Sequence, residues 1–290
     1  MEVIEYDLRK LCGLGFRVKD AKISAALLEI KGKLSADSFI DKYQLEVSRS
    51  TLNSWLALTY GIPIDVAIGI LGLRKFNELN TSPFSSGKSA GFCMAAVPHC
   101  STLPLQYLIG ATIGDGSLRH DKSGSYFISF EMTDNEILTT IQRAFHTAFG
   151  IYRSIKRIKR RDGRQSLLLK YSNKIIYCFL QQYYGLHPNK SKTVGLVGHE
   201  RTKRIERLAL LLGLYHTDGS LSKKSLRYYT SSERLCADIE SMLHGLGYNS
   251  KTYVYSRKQY SPEYQIRVEN SIKIVSELFA VETALIKQLI

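Results

Sequence analysis

The chain has 290 residues, 44% of them hydrophobic, enough for one large domain or two to three small ones with real cores, which excludes a disordered protein. Its longest apolar run, Leu208 to Tyr215, is too short to span a bilayer. The N-terminus MEVIEYDLRKLCG is acidic where a secretory leader is basic, so a soluble, cytoplasmic protein without membrane contact is expected. The net charge of +14, from 40 Lys and Arg against 26 Asp and Glu, suits a polyanionic partner, most simply nucleic acid.

Residues 1 to about 75 read as a small helical domain. AKISAALLEIKGK has helical apolar spacing, and Ser35-Ala36-Asp37-Ser38 supplies a helix start. SADSFIDKYQLEVSRSTLNSWLAL then reads as helix, turn, helix. The second helix begins near Ser48, turns Leu52, Trp55 and Leu56 inward, and presents Arg49, Ser50, Thr51 and Asn53. This pattern fits a helix-turn-helix reading DNA, and it equally fits a corner of any three-helix bundle. Residues 76–102, rich in Ser, Gly and Pro and without periodicity, read as a linker. Gly87-Lys88-Ser89 within it lacks the leading glycine of a phosphate-binding loop, since position 82 is Ser82. The five cysteines, Cys12, Cys93, Cys100, Cys178 and Cys236, form no CxxC pair, which argues against a disulfide framework or a structural zinc site.

From about Leu103 the chain repeats itself, with units at 103–199 and 200–290. LIGATIGDGSL (108–118) and LLGLYHTDGSL (211–221) each end an apolar helix on Asp-Gly-Ser-Leu. A strand follows (SYFISFEMT; SLRYYT), then a capping-box pattern, Thr133 to Glu136 and Thr230 to Glu233, that opens a helix. Each half continues with a hairpin, turning at Asp162-Gly163 and near Ser261-Pro262, and closes on a helix. The expected fold is α+β, two tandem αββαββα units related by a pseudo-twofold, behind a small all-helical domain.

Gly110 and Gly114 in the first motif, and Gly213 and Thr217 in the second, are small residues one turn apart. Such spacing lets two helix backbones approach closely. Packed on each other, the motif helices would deliver Asp115 and Asp218 to one place. Two close carboxylates repel unless a cation sits beside them, and oxygen ligands of this kind favour Mg²⁺. With Gly114 and Thr217 they are the candidate metal-binding residues.

These residues resemble the two motifs of the LAGLIDADG homing endonucleases, in their single-chain form, over about residues 103–290. The resemblance implies Mg²⁺-dependent (or Mn²⁺-dependent) cutting of both strands of a long, nearly palindromic duplex DNA site, with each half laying a twisted antiparallel sheet into the major groove. It implies that Asp115 and Asp218 are the metal-binding catalytic acids. It further implies a basic residue after the last helix of each unit, matched by Lys190, with Lys192 second, and by Lys287. The surroundings of Lys287, ALIKQLI, also fit an ordinary solvated lysine on a continuing helix.

Charge placement agrees with DNA-facing sheets. Seven of the twelve residues from Arg153 to Arg164 are basic (Arg153, Lys156, Arg157, Lys159, Arg160, Arg161, Arg164), and Lys170 follows on the next strand. In the second unit Arg227, Tyr229, Lys251, Tyr253, Tyr255, Arg257, Gln265 and Arg267 alternate along three strands. Interleaved basic and aromatic residues suit nucleic acid, RNA as well as duplex DNA. Three functions fit: a site-specific endonuclease, a non-cleaving DNA-binding regulator, and a maturase acting on intron RNA. Two fused halves suggest a monomer.

Overall fold

A computed structural model describes residues 6–86, 94–160, 162–197, 202–222, 225–256 and 261–290. The chain divides into two compact units, one built from residues 6–99 with Asn173–Phe179, the other from Cys100–Ser172 and Leu180–Ile290.

Among the described residues the N-terminal unit holds a 3₁₀ turn at Leu8–Leu11 and the α-helices α1 (Ala21–Lys31), α2 (Ala36–Lys42), α3 (Arg49–Leu56), α4 (Ile64–Leu71) and α5 (Leu73–Leu79). Asp20, Ser35 and Ser48 cap the first three, each accepting main-chain N–H groups that the first turn leaves orphaned. Leu52 and Trp55 of α3 are buried, and Arg49 is exposed with its guanidinium forked onto Asp37. The unit is not helical throughout. Four two-residue strands, β1 (Arg17–Val18), β2 (Ile62–Pro63), β3 (Phe84–Ser85) and β4 (Met94–Ala95), pair in the order β2-β1-β3-β4. Strands this short show no alternation, so residues 76–102 read as linker although Phe76, Phe84 and Ala95 are buried there. Gly87 to Cys93 lie outside the described residues.

The repeat makes up the second unit, except that the start of its helix Lys174–Tyr184 belongs to the N-terminal unit. Its first half runs α6 (Leu103–Ile113), β5 (Ser117–His120), β6 (Tyr126–Met132), α7 (Asn135–Phe149), β7 (Lys156–Lys159), β8 (Gln165–Ser172) and α8 (Lys174–Tyr184). Its second half runs α9 (Arg204–Asp218), β9 (Gly219–Ser222), β10 (Ser225–Thr230), α10 (Glu233–Gly245), β11 (Ser250–Tyr255), β12 (Glu263–Val268) and α11 (Ile272–Leu289). Two four-stranded antiparallel sheets result, ordered β5-β6-β8-β7 and β11-β12-β10-β9. The caps of α7 and α10 are Asp134 and Ser232, not Thr133 and Thr230. Asp134 and Ser232 stand next to the first helical residue, so their side-chain oxygens reach the orphan N–H groups first. At α9 only the back-reaching half of a capping box occurs, where Glu206 Oε2 accepts from the Lys203 N–H, because a lysine N-cap has no acceptor to return the bond.

Every residue of α6 is buried, as is the α9 run from Leu208 to Leu214. The two helices pack with their backbones in contact. A Cβ built on Gly110 would stand 2.0 Å from Leu210 O, and one on Gly213 would stand 2.1 Å from Tyr107 O. Only glycine permits this approach, which fixes the register of one motif helix on the other.

Candidate active site and nucleic-acid groove

The motif helices end side by side. Gly114, just past α6, faces the end of α9: a Cβ there would meet Thr217 Oγ1 at 2.0 Å and Asp218 Oδ2 at 3.2 Å. Thr217 turns its hydroxyl back to Gly213 O (3.0 Å) and Leu214 O (3.2 Å), so the helix itself satisfies that side chain.

Lys190 stands in a 3₁₀ turn at Lys190–Lys192, and the residue is only 7% exposed. Its Nζ donates to Ile113 O at 2.6 Å and Gly114 O at 3.2 Å, the free carbonyls at the negative end of α6. Burial drops its pKa from 10.5 to about 8, while Asp218 and then Asp115 pull it upward. The same desolvation lifts Asp218 from 3.8 to about 6, helped by the charge of Asp115 and opposed by Lys190. Asp115 is raised by desolvation and held back by Lys190, although one edge of the residue is open to solvent. Three titratable groups therefore share one electrostatic site at the junction of the two halves. Lys287 is not among them. It lies exposed on the last turn of α11, a helix that continues as a regular amphipathic rod with Leu285 inward.

The donor chemistry fits a hard divalent cation through two carboxylates raised by desolvation, Asp115 further raising Asp218, whereas the Gly114 carbonyl already accepts from Lys190 and the Thr217 hydroxyl is held by its own helix. Among the described residues no group of three or more His, Cys, Asp and Glu could hold a metal. A cation here would complete its shell with water and phosphate, as Mg²⁺ does and structural zinc does not.

Sheet register decides which residues flank this site. In the first sheet Ser117 pairs Ser129, Arg119 pairs Phe127, Ser129 pairs Lys170, and Leu168 pairs both Glu131 and Lys156, so all share one face. That face lines a groove of about 830 Å³ that reaches Gly114, Lys190 and Ser191. Lys170 Nζ sits 3.9 Å over the Phe127 ring. Arg157 and Lys159 pair Leu167 and Gln165, which puts them on the opposite face. The basic hairpin is thus split by the period of two. Lys156 joins the groove face, while Arg160 pairs with Glu131 (2.5 Å) and Arg164 with Asp162 (2.6 Å). Arg161 and Arg257 lie outside the described residues.

In the second sheet Arg227, Arg267 and Lys251 form one row, Tyr229, Gln265 and Tyr253 the next, and Tyr255 follows beside Glu263, all on one face. Tyr229 and Glu263 line a recess of about 360 Å³ that also contains Gly114, Ser191 and Asp218. Tyr255 Oη donates to the buried Gln265 (2.8 Å) and Lys251 pairs with Glu269 (2.7 Å). The Arg227 Nε is buried without a protein partner among the described residues.

Ser117 and Arg119 of the first groove escape a sequence reading because β5 is only four residues long, and Ser129 because SYFISFEMT looks apolar. Only the alternation Ser125, Phe127, Ser129, Glu131 marks its polar face. A buried link between the motif helices is also absent from that reading: Tyr107 Oη lies 3.0 Å from His216 Nδ1, and His216 Nε2 lies 3.4 Å from Glu282 Oε1. Burial drops the His216 pKa to about 4, so the ring is neutral; it is hydrogen-bonded to Tyr107 of α6 and lies against Glu282 of α11.

The sequence matches the LAGLIDADG-like domain family over residues 102–183 and 206–278, more than half of the chain and on both halves of the repeat. The chain belongs to that family. Among solved structures, the homing endonuclease I-DmoI in complex with DNA and Ca is 17% identical, with a TM-score of 0.48 over 61% of this chain and 88% of that one. The homing endonuclease I-WcaI bound to its DNA recognition sequence is 16% identical, with a TM-score of 0.42 over 61% and 80%. The full-length DUF199/WhiA from Thermatoga maritima is 12% identical, with a TM-score of 0.37 over 61% and 55%. No curated protein matches the chain in sequence. Among the described residues of this LAGLIDADG-like chain no helix is long and apolar enough to cross a membrane.

Proposed function

We propose that the protein is a site-specific double-strand DNA endonuclease that uses Mg²⁺ (or Mn²⁺) to hydrolyse phosphodiesters at a long pseudo-palindromic site, acting as a cytoplasmic monomer. The observation that carries this reading is the convergence of Asp115, Asp218 and Lys190 where both polar sheet faces meet. Family membership and DNA-bound structural relatives support it.

Asp115 and Asp218 would hold the cation or cations. When bound, such an ion lowers the pKa of a water and neutralises charge on the leaving oxygen. The chain's own residues do the rest. Arg119, Lys156 and Lys170 on one face and Arg227 and Arg267 on the other neutralise phosphates and fix the register of the duplex. Lys190, held on two carbonyls, keeps its Nζ within the field of both aspartates, and with its pKa near 8 the amine can take a proton from the attacking water.

Rejoined flanking DNA of the gene, or pooled genomic fragments, should be cut at one locus with Mg²⁺ and bound uncut with Ca²⁺. Binding without cutting under Mg²⁺ would instead favour a non-cleaving DNA-binding regulator. One observation leans that way: Lys287, the match in the second half, stands exposed on α11.

Lys190→Met is expected to slow cleavage by about 10²- to 10⁴-fold while duplex affinity in Ca²⁺ stays within a few-fold. Its pH profile should change too. Lys190 must lose its proton near pH 8, so the wild-type rate rises as the pH approaches that value. The variant should lose the upper limb. A profile unchanged in shape would remove Lys190 from the proton transfer.

A further inference from the structure

The reversal of Arg157 and Lys159 onto the far face of the first sheet leaves a basic patch that the groove does not use. The segment before β7 is tied to α7, where Gln142 Nε2 donates to Arg153 O at 2.6 Å. Beside it Tyr152 is 61% exposed, its ring edge-on to exposed His146 at 6.3 Å and 88°. Arg153, Arg157 and Lys159 are also exposed, and among the described residues no carboxylate pairs with any of them, unlike Arg160 and Arg164.

The patch breaks the internal repeat. In the second half the matching edge strand β11 puts Thr252 and Val254 on the corresponding face, and Thr252 is bonded to Glu240 at 2.7 Å. A pseudo-palindromic duplex is read by both halves, as the shared groove chemistry of the two sheets reflects. Among the described residues these cations occur on the far face of the first half alone, and facing away from the groove they answer to a different ligand. Charge complementarity calls for a polyanion, and the exposed Tyr152 and His146 rings call for one with unpaired bases to stack.

We infer that the far face of the first half, built from His146, Tyr152, Arg153, Arg157 and Lys159, is a second nucleic-acid site that binds single-stranded nucleic acid independently of the duplex groove. The guanidiniums and Lys159 contact phosphates, and Tyr152 stacks on a base. A 2′-hydroxyl could add hydrogen bonds, so the sugar decides between RNA and DNA as its natural source.

The test is fluorescence anisotropy of the full chain with fluorescein-labelled oligo(rU), oligo(dT) and an unrelated duplex, across a salt series. The double variant R153E/R157E should bind both single strands about tenfold or more weakly, with the log–log salt slope reduced by roughly 1.4, about 0.7 for each phosphate no longer neutralised. Tyr152→Ala should lose about tenfold through stacking alone. Both variants should keep the wild-type duplex affinity, while Lys170→Glu in the groove should lower duplex affinity and spare the single strands. Tighter binding of oligo(rU) than oligo(dT) would assign RNA, and equal binding would assign recognition by backbone and base stacking. Wild-type protein that ignores both single strands overturns the inference, as does a double variant that binds them normally or loses the duplex equally. Failure to cut any DNA would sink the endonuclease reading without touching this one.

Discussion

Asp218→Asn should abolish cleavage, by about 10³-fold or more, and at the same time make the metal-free protein more stable at neutral pH. The two effects share one cause. Asp218 is carried by α9 into a desolvated place next to Asp115, and its pKa rises from 3.8 to about 6. A carboxyl whose folded pKa is raised stabilises the fold fully below the unfolded value, near pH 4, and that contribution is lost as pH rises through about 6. Above pH 6 the folded state therefore carries a charge it disfavours. The displacement corresponds to at most about 3 kcal/mol, and because Asp218 is partly exposed about 1–2 kcal/mol is expected. Asparagine keeps the shape without the charge. Denaturation in EDTA should show the wild type losing stability between pH 4 and pH 6 relative to the variant, the two curves running parallel above that. Added Mg²⁺ should stabilise the wild type and leave Asp218→Asn unmoved. Cleavage retained by the variant would refute the catalytic assignment. An unchanged difference in stability across pH would refute its electrostatic basis. Asp115→Asn should also abolish cutting, with a smaller stability gain.

Gly213→Ala should destabilise the repeat by about 3 kcal/mol or more, from a single methyl group. The added Cβ would stand 2.1 Å from Tyr107 O and 2.7 Å from Ala111 N, both main-chain atoms that no rotamer change can move. The motif helices would have to separate, and Asp115 and Asp218 would separate with them. Cleavage should fall even at temperatures where the variant stays folded, because a shift near one ångström at a catalytic centre is costly. Gly110→Ala should behave alike, since its Cβ would meet Leu210 O at 2.0 Å. Gly69→Ala is the opposite control. It sits exposed inside α4 with no atom within 4 Å of the new carbon, so it should stabilise by about 0.5–1 kcal/mol. Thermal melts of the three variants compare steric approach with helix propensity directly. Equal shifts at Gly69 and Gly213 would rule out close packing of the motif helices.

Much of this architecture is written locally. The duplication, the apolar motif helices, the strand alternation and the two aspartates with their glycines are short-range patterns, because side chains recur every 3.6 residues on a helix and every two on a strand. The second sheet's Arg227, Tyr229, Lys251, Tyr253, Gln265 and Arg267 share a face on that ground alone, and the register pairs them so. The small strands at Arg17–Val18, Ile62–Pro63, Phe84–Ser85 and Met94–Ala95 are too short to carry a period, and they form only because distant segments pair. The tertiary fold also decided between Lys190 and Lys287. Lys190 follows the last helix of its half and Lys287 lies on the last turn of α11, and only the turn at Lys190–Lys192 returns its ammonium to the carbonyls of Ile113 and Gly114. Likewise a run of seven cations from Arg153 to Arg164 looks uniform along the chain, while strand pairing sends Lys156 to the groove and Arg157 and Lys159 behind it. Composition and period determine which residues a segment offers. Contacts between segments far apart in sequence determine which of them share a site, since burial, pKa and direction belong to the packed arrangement.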